Sequence, residues 1–284
     1  MEKSKKLNRV AFQGELGAFS QQAIQQFLGR RAQPVPRQRF DEVFAALAAG
    51  DVDAAVLPIE NTLAGSVHEN YDLLLKFDFE ITSETSVRIV HNLIAPPGVT
   101  FRRLRKAYSH PVALNQCLDF FERHRRIERV PFYDTAGSVK MVMEHRPDGA
   151  AAIASELAAR IYGGRILKRE IESDRQNFTR FFLLEPHGAQ PRTPRGPGRK
   201  EWKTSLVFST RNIPGALFRA LSALALRDLN LVKIESRPLR GKPWEYLFYL
   251  DLVGHRDEPA VRNALAHLAE LADFLRVLGS YRPA

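Results

Sequence analysis

Hydrophobic residues in the first 185 positions follow two alternating patterns, one typical of short buried strands and one typical of amphipathic helices. Apolar runs at 9–13, 54–59 and 150–154 predict strands. Apolar residues at helical spacing within 19–28 and 41–49 predict helices. Strands that alternate with helices are typical of α/β architecture, so we expect this part of the chain to be an α/β domain.

The last 80 or so residues have a different pattern. Runs at 204–209, 231–238, 244–253 and 275–281 predict four strands. Apolar stripes at helical spacing predict two helices between them, with the residues Leu217, Leu221 and Leu224 on the first and Val261, Leu265, Leu268 and Ala272 on the second. The resulting order, βαββαβ, is the ferredoxin-like arrangement.

The segment between these two patterns is rich in proline, glycine and arginine and almost free of hydrophobic residues. Such composition is typical of a linker. We therefore expect a domain at 8–186, a linker at 187–203 and a second domain at 204–282.

Composition and charge exclude several classes of protein. The sequence is 44% hydrophobic and 26% charged, as expected of a globular protein, and no apolar run is long enough for a membrane span. The net charge of +10 comes from basic residues scattered over the amino-terminal tail, one surface patch and the linker, without a nucleic-acid-binding motif. The start of the chain does not have the pattern of a secretory signal, and a single cysteine fits a reducing compartment, so we expect a cytoplasmic protein.

Two polar residues interrupt a run of apolar and aromatic residues at 177–184 that predicts a buried strand. Because alternate residues of a strand face opposite sides, Thr179 shares one face with Phe181. Arg180 shares the other face with Phe178. An unpaired buried polar group costs about 1–3 kcal/mol, so both side chains need partners. The pair alone leaves open whether neighbouring protein groups or a substrate provide them.

Polar side chains also follow predicted strands at 58–67, 109–111 and 134–138, each at the start of a predicted helix. Ligands of open α/β sheets bind at the carboxyl ends of strands, and backbone amides at a helix start bind anions. Each junction alone also fits an ordinary helix cap. The candidate ligand-binding side chains at the three junctions are Asn61, Thr62, Ser66, Ser109, His110 and Thr135.

Several common chemistries have no sequence motif in this chain. There is no glycine-rich dinucleotide or phosphate-binding loop, no cysteine and histidine set with metal spacing, and no nucleophile turn of the Gly-x-Ser-x-Gly type. The sequence therefore predicts a site without metal or cofactor, built from hydroxyl groups, amides and an arginine.

Taken in order, these motifs resemble the prephenate dehydratase family. The matching stretches are 10–14 with 17–20, 58–67, 109–111, 134–136 and 177–181. The second domain resembles an ACT regulatory domain. One departure is Val112, which stands where the family usually has glutamine, and it puts a substrate contact at that position in doubt.

The resemblance implies a two-lobed fold like that of type II periplasmic binding proteins, with one lobe at about 8–85 plus 165–186 and the other at about 86–164. It implies a hydro-lyase of L-phenylalanine biosynthesis that converts prephenate to phenylpyruvate without a cofactor. Thr179 is implied as the group that donates to the leaving hydroxyl. The positions implied for substrate binding are Asn61, Thr62, Ser66, Ser109, His110, Thr135, Asn177, Arg180 and Phe181.

The ACT resemblance implies feedback regulation by L-phenylalanine, bound between two copies of the domain in a homodimer or homotetramer. The positions implied for this effector are Asn212, Gly215, Ala216, Leu217, Glu235, Ser236, Arg237 and Pro238.

Two alternatives remain open at this point. The same chemistry on the aminated substrate would make the protein an arogenate dehydratase. A protein without catalytic activity would instead be an amino-acid sensor on a binding-protein fold. The sequence also leaves open whether Arg180 binds substrate or braces its strand. A salt bridge to the carboxylate that departs would slow decarboxylation, so we expect that carboxylate in the less polar part of the pocket.

Overall fold

A computed structural model describes residues 9–189, 191, 201–239, 241–242 and 244–283. The basic residues of the amino-terminal tail and positions 192–200 of the expected linker lie outside the described residues. The chain separates into two compact units: one contains 9–73 and 86–181, and the other contains 74–85 and the residues from 182 onward.

The described residues form fifteen strands and nine α-helices, with one short 3-10 helix at Phe101–Arg103. The strands are β1 Arg9–Gln13, β2 Gln33–Arg37, β3 Ala54–Asn61, β4 Gly65–Ser66, β5 Glu80–Arg88, β6 Asn92–Ala95, β7 Lys106–Ser109, β8 Glu128–Pro131, β9 Ala150–Ala154, β10 Arg165–Lys168, β11 Phe178–Glu185, β12 Lys203–Ser209, β13 Leu231–Pro238, β14 Tyr246–Val253 and β15 Phe274–Tyr281. The helices are α1 Phe19–Leu28, α2 Phe40–Ala48, α3 His68–Lys76, α4 Pro111–Asn115, α5 Leu118–Arg123, α6 Thr135–His145, α7 Glu156–Tyr162, α8 Ala216–Ala225 and α9 Pro259–Leu271.

The first two sheets have the mixed α/β character that the hydrophobic pattern predicts. One has the order β2-β1-β3-β11-β5, with β4 paired to β3, and the other has the order β10-β6-β9-β7-β8. β1 is parallel to β2 and β3, and β7 is parallel to β8 and β9. Parallel strands covered by helices are buried on both faces, which explains why β9, Ala150–Ala154, is buried at every position.

Strand β10 pairs with β6, so Arg165–Lys168 belongs to the second sheet. The resemblance implies that these residues belong to the first lobe, with the rest of the returning segment at 165–186. The chain returns to the first sheet only at β11. The other expected domain boundaries stay a prediction.

The third sheet is antiparallel, with the order β13-β14-β12-β15. Buried residues of α8 and α9, among them Leu224 and Leu268, pack with residues of the sheet in one hydrophobic cluster. The expected βαββαβ order is confirmed. β13 lies at an edge of the sheet, so one row of its backbone groups has no neighbouring strand among the residues that the structure describes.

Two crossing segments, 88–92 and 168–178, connect the first two sheets and bind each other through the backbone. The Ile171 N–H donates to the His91 carbonyl at 2.9 Å, and the Ile89 N–H donates to the Asn177 carbonyl at 2.8 Å. The His91 N–H donates to the Glu172 carboxylate at 2.9 Å. These bonds fix the place of His91 and Asn177 where the sheets join.

Among the described helices, none is both long and apolar enough to span a bilayer.

Candidate active site

A cavity of about 480 Å³ opens between the strand ends of the first two sheets. Its volume is within the range of about 300–1,000 Å³ that is usual for small-molecule sites. The wall is formed by the starts of α1, α4 and α6, the β3–β4 turn, the crossing segment at 89–91 and strand β11. The strand ends therefore meet where the sequence predicts a ligand site.

Six of the ten residues predicted for catalysis or substrate binding line this cavity: Asn61, Ser66, His110, Thr135, Thr179 and Phe181. They come from four separate stretches of the chain. The structure therefore brings together side chains that are distant in sequence, which is the arrangement that ligand binding requires.

Four predicted residues do not line the cavity. The Thr62 hydroxyl donates to the Gln176 carbonyl at 2.8 Å, and the Ser109 hydroxyl donates to the Ile153 carbonyl at 2.6 Å. Asn177 is buried and accepts a bond from Asn61. Arg180 faces away from Thr179 along the strand and lies 3.7 Å from the Glu60 carboxylate. These contacts brace the walls of the cavity, and a role of the four residues in substrate binding stays a prediction.

Asn61 fixes the orientation of the Thr179 hydroxyl. The Asn61 carbonyl oxygen accepts the backbone N–H groups of Leu63 at 3.0 Å and Ala64 at 2.8 Å, so the amide nitrogen must point the other way. That nitrogen donates to Thr179 Oγ1 at 2.9 Å and to Asn177 Oδ1 at 2.8 Å. Because Thr179 Oγ1 accepts this bond, its own proton is available to a molecule in the cavity.

Gln116 and His91 also line the cavity, and reasoning from the sequence missed both. The Gln116 side-chain nitrogen lies 3.4 Å from the Asn61 carbonyl oxygen, and its oxygen lies 2.9 Å from His91 Nε2. Gln116 could have been found as a polar residue one and a half turns after Ser109-His110-Pro111. His91 had no such signal, because a single histidine after a strand is common in protein cores.

No lysine or arginine is among the cavity-lining residues in the described part of the chain. The start of α1 offers a different anion site, because Ala18, Phe19 and Ser20 all line the cavity and no side chain caps this helix. The free N–H groups and partial positive charge of a helix N-terminus favour a carboxylate. The cavity can therefore hold an anion without a cationic side chain.

A tight contact beside the cavity joins the loop after β1 to α7. Gly17 has φ +93°, and a Cβ added there would lie 2.6 Å from the Ala158 Cα. The Ser155 hydroxyl donates to the Gly17 carbonyl at 2.6 Å. Glu15, in the same loop, accepts bonds from Tyr133 at 3.1 Å and from Lys140 at 3.2 Å. The glycine lets the two walls approach this closely.

His110 and Val112 lie at the start of α4. His110 Nδ1 accepts the Val112 N–H at 3.3 Å, and burial lowers the pKa of His110, so the ring is neutral. Val112 presents an apolar side chain to the cavity at the position where glutamine was expected. This part of the wall therefore has less polar character than the resemblance implied.

Asp134 makes the stability of the protein depend on pH. Burial raises its pKa, with a further contribution from the charge of Glu15, and the Gly137 N–H bond at 2.6 Å opposes this. Between the ordinary pKa of aspartate and the raised pKa of Asp134, the folded state binds more protons than the unfolded state. The free energy of unfolding should therefore fall as the pH rises through this range. We expect Asp134→Asn, which keeps a capping oxygen, to remove this fall.

Urea unfolding of both proteins between about pH 4 and 7 measures the effect, since the window begins near the ordinary aspartate pKa. If the free energy of unfolding depends on pH in the same way in wild type and Asp134→Asn, Asp134 is not the cause of the fall.

The positions implied for phenylalanine fall in two places on the third sheet and its helices. The first group lies in the β12–α8 connection and the first turn of α8, where Gly215 is the N-cap with φ +76°. The second group lies on the edge strand β13. Most of these positions are exposed or half-buried at the surface of the domain, while Leu217 packs against the hydrophobic cluster.

The described residues contain no group of three or more histidine, cysteine, aspartate or glutamate side chains that could hold a metal ion. Cys117 is buried, and burial raises the pKa of its thiol, so it is not a nucleophile.

The structure combines an α/β fold, a cavity of the size usual for small-molecule sites and a ferredoxin-like βαββαβ domain. The sequence model of the family described as prephenate dehydratase matches residues 10–189, and that of the ACT domain matches 204–270. The chain belongs to the prephenate dehydratase family and carries an ACT domain. It is therefore a dehydratase of the lyase class, and its family belongs to aromatic amino-acid biosynthesis.

Two similar proteins have descriptions that agree with this assignment, and a third has a different description. The chain is 44% identical to arogenate dehydratase/prephenate dehydratase 2 of Arabidopsis thaliana, over 96% of this chain and 72% of that protein. The crystal structure of prephenate dehydratase from Arthrobacter aurescens in complex with L-Phe has a TM-score of 0.85 and 32% identity, covering 96% and 89% of the two chains. A structure described as GqqA, a novel type of quorum quenching acylase, has a TM-score of 0.87 and 33% identity, covering 98% of each chain.

The expectation of a cytoplasmic protein is wrong. The similar Arabidopsis protein is described as chloroplastic, and so are several other relatives at 39–40% identity. The inference had rested on one cysteine and on the start of the chain, and neither separates reducing compartments from each other. The α/β class with an ACT domain is confirmed.

Proposed function

We propose that this protein catalyses the decarboxylating dehydration of prephenate to phenylpyruvate, with the same reaction on arogenate as the alternative. The observation that carries the proposal is the bond from Asn61 to Thr179 Oγ1 at 2.9 Å, which leaves the hydroxyl proton for the substrate. A sensor without chemistry would have no need of a donor held in this way.

The reaction needs one proton and no redox partner. The ring C–COO⁻ bond breaks and carbon dioxide leaves, the bonding electrons enter the ring, and the ring C–OH bond breaks at the opposite carbon. Thr179 donates to the departing oxygen, which leaves as water after taking a proton from solvent through this hydroxyl. A neutral threonine is a weak acid, so its part is hydrogen bonding or proton relay.

The distribution of charge supports decarboxylation. A cation beside the ring carboxylate would stabilise the substrate more than the transition state and would slow the reaction. The cavity lining of the described chain contains no such cation. We place the side-chain carboxylate at the uncapped start of α1 and the ring carboxylate toward the less polar wall that includes Val112 and Phe181.

The deciding experiment supplies the purified protein with prephenate and arogenate in separate assays and follows phenylpyruvate and phenylalanine. Turnover of prephenate supports the proposal, and turnover of arogenate alone supports the alternative. A third assay tests whether the protein hydrolyses an acylated quorum-sensing signal, because the GqqA structure is described as a quorum quenching acylase. Hydrolysis of that signal without dehydratase activity would overturn the proposal.

We also propose that L-phenylalanine binds the ACT domain and lowers activity by favouring one of two states. The A. aurescens structure is described as a complex with L-Phe, and the N-terminus of α8 at Gly215 suits a carboxylate. The open edge of β13, with Val232 and Ile234 exposed, suits a second copy of the chain. A homodimer or homotetramer would supply this second copy.

Gly215→Ala should weaken phenylalanine binding by about tenfold or more, since a methyl group would stand where a carboxylate approaches the backbone. Titration calorimetry measures the affinity of both proteins. Gly50→Ala is the control, because Gly50 also has positive φ (+74°) and open space around it. Equal affinity in wild type and Gly215→Ala would place the effector elsewhere.

A further inference from the structure

The hydrogen bonds around Asn61 continue to a residue for which the reaction gives no role. From Thr179 they run through Asn61 and Gln116 to His91, with contacts of 2.9, 3.4 and 2.9 Å in that order. His91 is 1% exposed and lines the cavity. Nothing else in its packing requires an imidazole, because its aromatic contact is the edge-to-face pair with Phe19, at 5.7 Å between ring centroids.

The direction of every bond in this series follows from the two backbone N–H groups at Leu63 and Ala64. A backbone N–H only donates, so the Asn61 oxygen accepts, and Gln116 must present its NH₂ group to that oxygen. The Gln116 carbonyl then faces His91 Nε2, which must carry a proton to donate.

The remaining ring nitrogen agrees with this tautomer. His91 Nδ1 is buried and has no hydrogen-bond partner in the described structure. Burial lowers the pKa of His91, so the ring is neutral and its single proton stays on Nε2. The backbone bonds to Ile171 and Glu172 hold the ring at this place.

We propose that His91 is a positioning residue of the dehydration: as the Nε2–H tautomer it holds the Gln116 carbonyl, and through Gln116 and Asn61 it keeps the Thr179 hydroxyl aimed at the substrate. Without that donor, Gln116 can rotate its amide, and its NH₂ group no longer stays on Asn61. The inference rests on the proposed role of Thr179, but the tautomer of His91 can be measured separately.

The first test is an NMR measurement of the imidazole nitrogens in the full-length protein, with His91→Gln used to assign the signals. We expect the Nε2–H tautomer of neutral His91. An Nδ1–H tautomer would overturn the proposal, whether or not the protein turns over prephenate.

The second test compares two variants with the substrate that the wild type converts. His91→Phe keeps the ring contact but removes the donor, and should lower kcat about tenfold, the usual effect of one lost hydrogen bond, with KM nearly unchanged. His91→Gln places an amide donor near the Nε2 position and should restore most of the loss. Cys117→Ala, a buried change beside Gln116 that leaves these bonds intact, is the control for packing.

A double-mutant cycle with Gln116→Leu separates positioning from packing. If His91 acts through Gln116, then His91→Phe lowers kcat in the wild type but causes no further loss in Gln116→Leu. Additive losses, or equal losses in His91→Phe and His91→Gln, would overturn the proposal. Should the wild type convert neither substrate, the proposed function fails while the NMR result still decides the tautomer.

Discussion

Thr179→Val should lower kcat by about 10²–10³-fold while KM stays near the wild-type value. Valine has nearly the shape of threonine, so substrate still fits, but the leaving oxygen loses its hydrogen-bond donor. The loss appears in kcat because the hydroxyl acts mainly as the C–O bond breaks. Steady-state kinetics with the accepted substrate measures both constants.

Thr179→Ser keeps the hydroxyl and should retain more activity than the valine variant. Thr100→Val, the same exchange at an exposed position outside the cavity, should leave the kinetics unchanged. Wild-type turnover in Thr179→Val would exclude the proposed donor. Thermal unfolding of each variant shows whether the fold is intact.

Gly17→Ala should lower the free energy of unfolding by about 3–5 kcal/mol, from positive-φ strain and overpacking of about 1–3 kcal/mol each with some backbone shift. The new methyl group would meet the backbone of Ala158, which cannot rotate away as a flexible side chain could. We also expect kcat/KM to fall, because Ala18 and Phe19 in the next two positions line the cavity.

Gly98→Ala is the matched control. Gly98 has a similar φ of +89°, but nothing lies within 4 Å of an added Cβ. The free energy of unfolding of Gly98→Ala should fall by only about 1–2 kcal/mol, which is the cost of the left-handed backbone conformation. Urea unfolding gives both values, and equal losses in the two variants would show that the contact with Ala158 contributes nothing.

The fold could be predicted from the sequence because local patterns determine it. Buried parallel strands such as 150–154 are continuous apolar runs, and the amphipathic helices have one apolar stripe. The place of β10 could not be predicted in this way. Its residues, Arg165–Lys168, are a short edge strand whose partner is chosen by the surrounding structure.

The site could be predicted only where a side chain stands next to a strand end in a recognisable motif. Asn61, His110 and Thr179 are predicted for this reason, and all three line the cavity. Thr62 and Ser109 have the same sequence signal, but their side chains turn toward the carbonyls of Gln176 and Ile153. Sequence position determines that a residue is near the cavity, and only the tertiary contacts determine which way its side chain points.

The turn that follows Asn61 determines which substitutions the chain can tolerate there. Leu63 and Ala64 contact the Asn61 oxygen through their backbone N–H groups, and Leu63 is 45% exposed. Many amino acids could therefore replace Leu63 without changing the direction of the bonds that reach Thr179, whereas Ala64 lines the cavity, where a larger side chain would occupy substrate space. Proline is the exception at position 63 because it lacks the N–H, so a variant library at this position should remain active broadly and lose its proline member.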